Sequence, residues 1–235
     1  SIGMALPDKK SGKSREMGPP RLPFLVSLAT RPSRTPANGR ARGPEGVKVM
    51  FYRSERLFLR PAFPEDAREI YEGICDAGVV QMLMRVPWPY RQADADAFCA
   101  LPENPRAPRF AITLPSAKGA PIIGVVGFHN EDEGLGFGYW IARDHWGEGY
   151  ATEAARGALE VARALGNKRV LAGHYVDNPA SGRVLRKLGF RETGEVRPTF
   201  CRARGGDLVL ARRYALEFAD AEAEASAQGD RMRAA

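Results

Sequence analysis

A glycine-containing turn between a predicted strand and a predicted helix is the segment of this sequence best suited to bind a phosphate group. It consists of Trp146-Gly147-Glu148-Gly149-Tyr150-Ala151-Thr152. Its two glycines allow the backbone to turn and to approach a ligand closely. The helix that follows begins with free N–H groups and a partial positive charge, which together bind phosphate or pyrophosphate. The segment is not a Walker loop, because no Gly-Lys-Ser/Thr follows, and Thr152 replaces the third glycine of the dinucleotide fingerprint.

The helix that must position this turn has the clearest pattern in the chain. Its apolar residues recur every three or four positions, which predicts one buried face, and charged residues occupy the other face. Gly166 follows as the residue that ends the helix. The apolar face consists of Ala151, Ala155, Ala158, Leu159, Ala162 and Leu165.

A second helix is predicted from its two ends. Asn178 and Pro179 have the residue types preferred at the N-cap and at the first helical position. The helix ends at Leu188-Gly189-Phe190, where Gly189 fits a left-handed conformation and Phe190 can pack on Leu185. A strand, Arg169–Val176, precedes this helix.

Alternation of apolar residues predicts the remaining strands. Three consecutive strands in the middle of the chain are expected to form an antiparallel meander. Predicted strands comprise a short one at Leu57 and Leu59, the meander Phe110–Leu114, Ile122–Phe128 and Gly136–Ala142, and a last strand, Leu208–Leu216; further helices are predicted at Glu65–Glu72 and Ala93–Leu101.

The basic character of the chain belongs to its first 49 residues. The sequence has 235 residues and a formal net charge of +7. Residues 1–49 contain ten of the 35 basic and three of the 28 acidic residues, which leaves 25 of each sign in the remainder. The folded part is therefore formally neutral, and specific nucleic-acid binding by it is not expected.

Composition also divides the chain into three parts. Residues 1–49 are rich in Pro, Gly, Ser and Arg and are predicted to be disordered, residues 50–217 to form one domain, and residues 218–235 to fray. A secretory signal around Leu22–Ala29 is the alternative interpretation of the first part, although this apolar run is short and contains a proline. No run approaches the roughly 18 apolar residues of a membrane span. The three cysteines have neither zinc-ligand nor disulfide spacing, which favours the reducing cytoplasm.

Four short motifs occur in a fixed order along the predicted domain. They are Gly138-Tyr139-Trp140-Ile141, Trp146 to Ala154, Asn178-Pro179-Ala180-Ser181 and Leu188-Gly189-Phe190. In combination they closely resemble the GNAT superfamily of N-acetyltransferases, in its Rim-type branch, which includes ribosomal-protein N-terminal acetyltransferases. The resemblance runs from about Glu55 to Leu216. It implies an α/β fold of the α+β type, with a mixed, mostly antiparallel central sheet and flanking helices.

The resemblance also implies a binding site for acetyl-CoA, with no metal. The strands Gly138–Ala142 and Arg169–Val176 would splay into a V, and the acetyl-pantetheine arm would lie in the gap. Asn178 would contact this arm or serve only as the helix cap. The arm would bind the backbone of Ile141, Ala142 and Arg143, and the pyrophosphate would lie beside Trp146 and bind the N–H groups of Gly147, Glu148, Gly149, Tyr150, Ala151 and Thr152.

The same resemblance suggests how the reaction proceeds. A neutral amine attacks the thioester, so the site must deprotonate the amine, stabilise an oxyanion and protonate the thiolate. Many family members donate the last proton from a tyrosine, but Leu185 stands at that position here. Ser181 is the expected acid, unless it only supports the helix start. The backbone amide of Ile141 or Ala142 is the expected oxyanion donor.

The general base is harder to assign. Rim-type sequences often have a glutamate two residues before Gly-Tyr-Trp, and this position is Gly136 here. Glu131, Asp132 and Glu133 lie nearby in a predicted loop, and Glu131 is the candidate among them. His174 and Tyr175 are neighbours on a strand beside the gap, so one of the two should face it. A structural role is the stronger interpretation of His174, and Tyr175 is kept as a catalytic candidate.

Three functions remain open at this point. The first is acetylation of a primary amine, either a protein N-terminal α-amine or a small molecule. The α-amine is favoured because its pKa is about 7.7–8.0 rather than the roughly 10.4 of lysine. The second is a small-molecule acetyltransferase for an aminoglycoside, a polyamine or an amino acid. The third is a non-catalytic module that binds acyl-CoA. A homodimer is compatible with each of these functions.

Overall fold

The computed structural model describes residues 27–30 and 48–218, which contain a nine-stranded sheet with helices on both faces. The strands are β1 (Ser27–Thr30), β2 (Lys48–Arg53), β3 (Phe58–Arg60), β4 (Arg109–Thr113), β5 (Ile122–Glu131), β6 (Gly134–Ile141), β7 (Arg169–Tyr175), β8 (Arg191–Cys201) and β9 (Asp207–Glu217). The helices are α1 (Ala67–Ile74), α2 (Ala77–Val80), α3 (Gln92–Ala100), α4 (Tyr150–Ala164) and α5 (Pro179–Lys187). Short 3-10 turns lie at Pro64–Asp66, Arg143–His145 and Arg202–Arg204.

The sheet is mixed but mostly antiparallel. Its strand order is β1-β2-β3-β4-β5-β6-β7-β9-β8. Every neighbouring pair is antiparallel except β6 and β7, which are parallel and are connected through α4. A parallel connection needs such a crossover because the chain must return to the same end of the sheet. The predicted fold class is confirmed.

Each face of the sheet has its own hydrophobic core. On one face, α4 and α5 pack against strand residues that include Phe137 and Tyr214. On the other face, α1, α2 and α3 pack against residues that include Tyr175 and Ala211. We call the second face the α1–α3 face. In the described part of the chain, none of the helices combines the length and hydropathy that crossing a membrane requires.

The parallel pairing of β6 with β7 is short. It consists of three residue pairs, Leu135 with Val170, Gly136 with Leu171 and Phe137 with Ala172. Beyond Phe137, β6 continues to pair with β5, whereas β7 continues to pair with β9 as far as Tyr175. The two strands therefore separate, and a V-shaped gap opens between residues 138–141 and residues 173–175. We call this gap the cleft.

Helix α4 is held close to the sheet by small residues. Its buried residues are Ala154, Ala155, Gly157, Ala158, Leu159, Val161 and Ala162, a wider face than the predicted one, whereas Leu165 is exposed. A β-carbon at Gly157 would lie 2.4 Å from the Tyr52 ring of β2. The Tyr52 hydroxyl donates a hydrogen bond to Glu160 Oε2 at 2.7 Å. The missing side chain at residue 157 thus lets the helix approach β2.

Three strands depart from the sequence-based description, and one of them, β2, precedes the first predicted strand at Leu57 and Leu59. The strand β8 was not predicted, because ten of its eleven residues are at least partly exposed and it therefore lacks an alternating apolar pattern. The strand β1 lies within the segment 1–49, for which composition predicts disorder, and pairs with β2 from Ser27–Phe51 to Thr30–Lys48. The rest of residues 1–47, like residues 219–235, lies outside the described residues, so the predicted tails remain predictions.

Replacing Gly157 with valine should destabilise the domain. The new side chain has to displace the Tyr52 ring, and overpacking of this kind costs about 1–3 kcal/mol. Urea denaturation would measure the free energy of unfolding. Ala164→Val, at the exposed end of the same helix, is the control for β-branching and should cost less than about 1 kcal/mol. Equal losses in both variants would contradict the close contact.

Candidate active site

The backbone of β6 determines which of its amides face the cleft. The amide of Ala142 donates to Ile123 O on β5 at 2.8 Å. Since hydrogen-bonded and non-hydrogen-bonded pairs alternate in antiparallel strands, the N–H and C=O groups of Ile141 and Tyr139 point away from β5 and toward the cleft. The carbonyl of Ala142 accepts from His145 N–H at 2.9 Å. Of the two amides expected as oxyanion donors, the Ile141 amide therefore faces the cleft and the Ala142 amide does not.

Trp146 ties the turn after β6 back onto the strand. Its indole Nε1 donates to Ile141 O at 2.7 Å, and the Arg143 guanidinium lies 4.4 Å from the centre of the ring. The indole remains 45% exposed beside the mouth of the cleft. Trp146 therefore supplies shape to the turn, and Arg143 supplies a positive charge next to it.

The glycines of the turn adopt the conformation that only glycine accepts easily. Gly147 has a φ of 85° and Gly149 a φ of 81°, and Gly149 is the N-cap residue of α4. A β-carbon at Gly147 would meet no heavy atom within 4 Å. Space is therefore open beside the turn that leads into the first N–H groups of α4, an arrangement that fits a pyrophosphate. The side chains of Tyr150 and Ala151, in contrast, pack against the core.

A charged network from another part of the chain supports this turn. Arg56 donates from Nη1 to Glu148 O at 3.1 Å, and its guanidinium lies 4.5 Å from the centre of the Tyr150 ring. Glu153 accepts from Arg56 Nε at 2.7 Å, from Arg56 N at 2.8 Å and from the Ser54 hydroxyl at 2.7 Å. Burial opposes ionisation of Glu153, but these hydrogen bonds outweigh it and lower its pKa. Sequence patterns could not reveal Arg56, because 97 residues separate it from Glu153.

The start of α5 forms the other wall of the cleft. Asn178 Oδ1 accepts the Ser181 amide at 3.2 Å, which makes Asn178 the cap of the helix. The Ser181 hydroxyl does not serve the helix; it lies 3.0 Å from the hydroxyl of Tyr139 on β6. Burial raises the pKa of Tyr139 to about 12. The sequence motif that contains Tyr139 does not indicate a role for its hydroxyl, and only the fold places it opposite Ser181.

Tyr175 and His174 have structural roles. Tyr175 is 1% exposed on the α1–α3 face, and its hydroxyl donates to Phe200 O at 2.9 Å. Burial, and then the neighbouring Cys201 thiol, raise its pKa. We therefore do not retain Tyr175 as a proton donor. His174 is buried on the opposite face, where its Nδ1 donates to Tyr175 O at 2.7 Å. Leu185, at the position of the family's tyrosine, is a core residue.

Glu131 lies far from the cleft mouth. It ends β5 beside Gly134, whereas the turn at Trp146 follows the opposite end of β6. Its Oε2 accepts from the Arg213 guanidinium and its Oε1 lies 3.1 Å from His129 Nε2. Burial opposes ionisation, but Arg213 and then His129 lower the pKa of Glu131. A carboxylate that has a lowered pKa and already makes contacts with two basic side chains is a poor general base. Its bonding and its position therefore argue against the predicted role of Glu131.

His129 occupies the place where the resemblance leads one to expect a glutamate. It lies on β5 directly opposite Gly136. A β-carbon at Gly136 would lie 2.4 Å from His129 Nε2 and 2.9 Å from Glu131 Cγ. Residue 136 must therefore be a glycine to leave room for the imidazole of His129. A lone histidine on a strand has no sequence signature, and its position became evident only from the register of β5 and β6.

Gly147→Val should weaken binding of acetyl-CoA, the ligand implied by the resemblance, by about tenfold or more, because the side chain enters the space at the helix N-terminus. Gly166→Val is the matched control. Gly166 has a φ of 82° and equally open surroundings at the other end of α4, so both variants carry similar backbone strain. Calorimetry should show a loss of affinity in the first variant alone. Equal affinity in both would place the pyrophosphate elsewhere.

Known proteins resemble this chain in sequence and in fold. An uncharacterized N-acetyltransferase of Bacillus subtilis, YoaA, is 30% identical over 151 residues, which are 61% of this chain and 84% of that protein. A ribosomal L7/L12 alpha-N-protein acetyltransferase, RimL, superposes with a TM-score of 0.60 at 21% identity, over 74% of this chain and 98% of that one. A spermidine N-acetyltransferase of Vibrio cholerae superposes with a TM-score of 0.57 at 20% identity, over 70% and 96% of the two chains.

The family assignment combines the cleft, the turn at the start of α4 and the comparison with family models. The model of the acetyltransferase (GNAT) domain matches residues 56–191, more than half of the chain. This range contains β6, α4, β7 and α5. The chain belongs to the GNAT acetyltransferase family and is an N-acetyltransferase that uses acetyl-CoA.

Proposed function

We propose that this enzyme is a Rim-type acetyltransferase that acetylates a weakly basic primary amine, in the first place the α-amine of a protein N-terminus. The observation that carries the proposal is the hydrogen bonding of Glu131, a carboxylate at the closed end of the cleft. Glu131 is bonded to Arg213 and His129 and has a lowered pKa. Removing a proton from lysine near neutral pH costs roughly 3–4 kcal/mol more than from an α-amine. A site without a strong base suits the weaker amine.

The positive charge near His129 supports an acceptor that is not a polycation. Arg85 is exposed close enough to His129 to lower its pKa, and Arg213 acts on His129 in the same direction. The segment before Arg85 is fixed to the turn at Arg202–Arg204, because Arg202 N–H donates to Met84 O at 3.1 Å and Arg204 Nε donates to Gln81 O at 3.0 Å. Arg85 thus places an exposed positive charge near His129, which would repel a second ammonium group.

A small diamine or polyamine is the second candidate acceptor. A surface pocket of about 430 Å³ lies between α1 and the turn after β6. Carboxylates dominate its charged lining, which suits a cationic substrate. Its acidic lining residues are Glu69, Glu72, Asp76 and Asp144.

A comparison of acceptors tests the proposal. Two versions of one short peptide are compared at pH 7, one with a free α-amine and an acetylated lysine, the other with an acetylated α-amine and a free lysine. The first should give a kcat/KM about tenfold or more above that of the second. The difference should narrow as the pH rises, because the ε-amine becomes neutral. Release of the CoA thiol provides the measurement. Preference for the ε-amine or for spermidine would overturn the proposal, and loss of spermidine turnover in Glu72→Gln would then support the second candidate.

The cleft supports direct transfer of the acetyl group. The amine nitrogen attacks the thioester carbon, the Ile141 amide stabilises the oxyanion, and the C–S bond then breaks. The departing thiolate takes a proton from Ser181, which is oriented by the Tyr139 hydroxyl at 3.0 Å, and water restores the proton of Ser181. The raised pKa of Tyr139 keeps this hydroxyl protonated across the working pH range.

Ser181→Ala should lower kcat by about 10²-fold, the low end of the range for a general acid, because a CoA thiol is a good leaving group. The melting temperature should change little, because the Asn178 cap bonds the backbone of residue 181, which the variant keeps. Tyr139→Phe should lower kcat less, since Ser181 keeps its own hydroxyl proton and loses only the hydrogen bond to Tyr139. Single-turnover kinetics and thermal unfolding would separate the two effects. An unchanged kcat in Ser181→Ala would remove Ser181 from the reaction.

A further inference from the structure

His129 lies at the closed end of the cleft. The last parallel pairs between β6 and β7 are Gly136 with Leu171 and Phe137 with Ala172. The imidazole of His129 lies directly over Gly136, since a β-carbon there would be 2.4 Å from Nε2 and 2.7 Å from Cε1. A larger residue at position 136 would push the ring away. The ring is therefore held beside the point at which the two strands separate.

A chain of two further groups orients the imidazole. Its Nε2 lies 3.1 Å from Glu131 Oε1, and Glu131 Oε2 accepts from the guanidinium of Arg213, which is 7% exposed. Because Glu131 is ionised, its carboxylate accepts the proton of Nε2. The lone pair of the neutral ring is then on Nδ1. Arg213 comes from β9 and Glu131 from β5, so the orientation depends on the assembled sheet.

The groups around His129 keep it neutral and reachable. Burial, then Arg85 and more weakly Arg213, lower its pKa below the ordinary value of 6.5, while Glu131 acts in the opposite direction. The side chain is 34% exposed, so an amine or a water molecule can reach it. A neutral imidazole with a free lone pair and an exposed edge has the properties of a general base.

We propose that His129 is the general base that accepts the proton of the attacking amine, with Glu131 and Arg213 as positioning residues. As the amine nitrogen bonds to the thioester carbon, its proton passes to His129 Nδ1 through a chain of water molecules, because Ile141 and Gly136 are five residues apart on β6, about 16 Å. The C–S bond then breaks and the thiolate is protonated at the opposite wall of the cleft. Gly136, which faces His129, and Tyr139, which contacts Ser181, are three residues apart on β6, about 10 Å, so the base and the acid lie at different points along the cleft. The inference rests on the proposed function for the nature of its amine.

Two substitutions of His129 test this role. His129→Ala removes the base and leaves a cavity, whereas His129→Gln keeps a donor for Glu131 and most of the volume. Both should lower kcat by about 10²-fold or more. Imidazole in the buffer should restore part of the activity of His129→Ala, which a packing defect would not allow. Affinity for acetyl-CoA should be unchanged in both variants. Near-full activity of His129→Gln, or loss of acetyl-CoA binding in both variants, would overturn the assignment.

The pH dependence of kcat at saturating acceptor gives an independent readout, because kcat/KM would also report the titration of the free amine. The native protein should lose activity below pH 6.5 as His129 becomes protonated, and this acid limb should vanish in His129→Gln. Glu131→Gln should move the limb to lower pH, since it removes the carboxylate that raises the pKa of His129. An unchanged limb in His129→Gln would reject the proposal. The acceptor is whichever amine the native protein turns over fastest, so a failed α-amine preference leaves this test intact.

Discussion

The parallel pairing of β6 with β7 extends over three residues, and each functional feature of this protein depends on where it stops. Both strands remain fully paired on their outer sides, β6 with β5 and β7 with β9. The groups that a longer parallel ladder would have bonded are therefore left along the cleft, among them the amide of Ile141. Unpaired backbone groups are costly when buried, so a site of this kind favours a ligand that can bond to them.

The helices that follow the two parallel strands begin at the same edge of the sheet. Helix α4 starts after the carboxyl end of β6, and α5 starts after that of β7, with three residues between them. Both helices therefore direct their positive ends and free N–H groups toward the open end of the cleft. The turn before α4 has the two left-handed glycines and open space, which suits pyrophosphate, whereas α5 is capped by Asn178 and presents the Ser181 hydroxyl instead. In the proposed mechanism, ligand binding and proton transfer are thus divided between two helix starts.

Two ion pairs hold the ends of this arrangement. At the open end, Glu153 of α4 bonds Arg56 and Ser54, which follow β2. At the closed end, Glu131 of β5 bonds Arg213 of β9 and contacts His129. Each pair joins segments that are distant in sequence, and each carboxylate is partly shielded from water. These pairs therefore fix positions in the site more than they add to overall stability.

The sequence alone determined those elements that depend on residues close to one another along the chain. The spacing of apolar residues predicted α4, the cap and proline predicted the start of α5 at Asn178 and Pro179, and the glycines predicted a phosphate-binding turn. The strand β8 had no such signal, because an exposed edge strand has no buried face. The partners Tyr139 with Ser181, Arg56 with Glu153 and His129 with Gly136 are 42, 97 and 7 residues apart, and their contacts depend on strand register and on how α4 and α5 cross the sheet. Only the tertiary structure could decide them, because a register shift of one residue would turn each strand side chain to the opposite face.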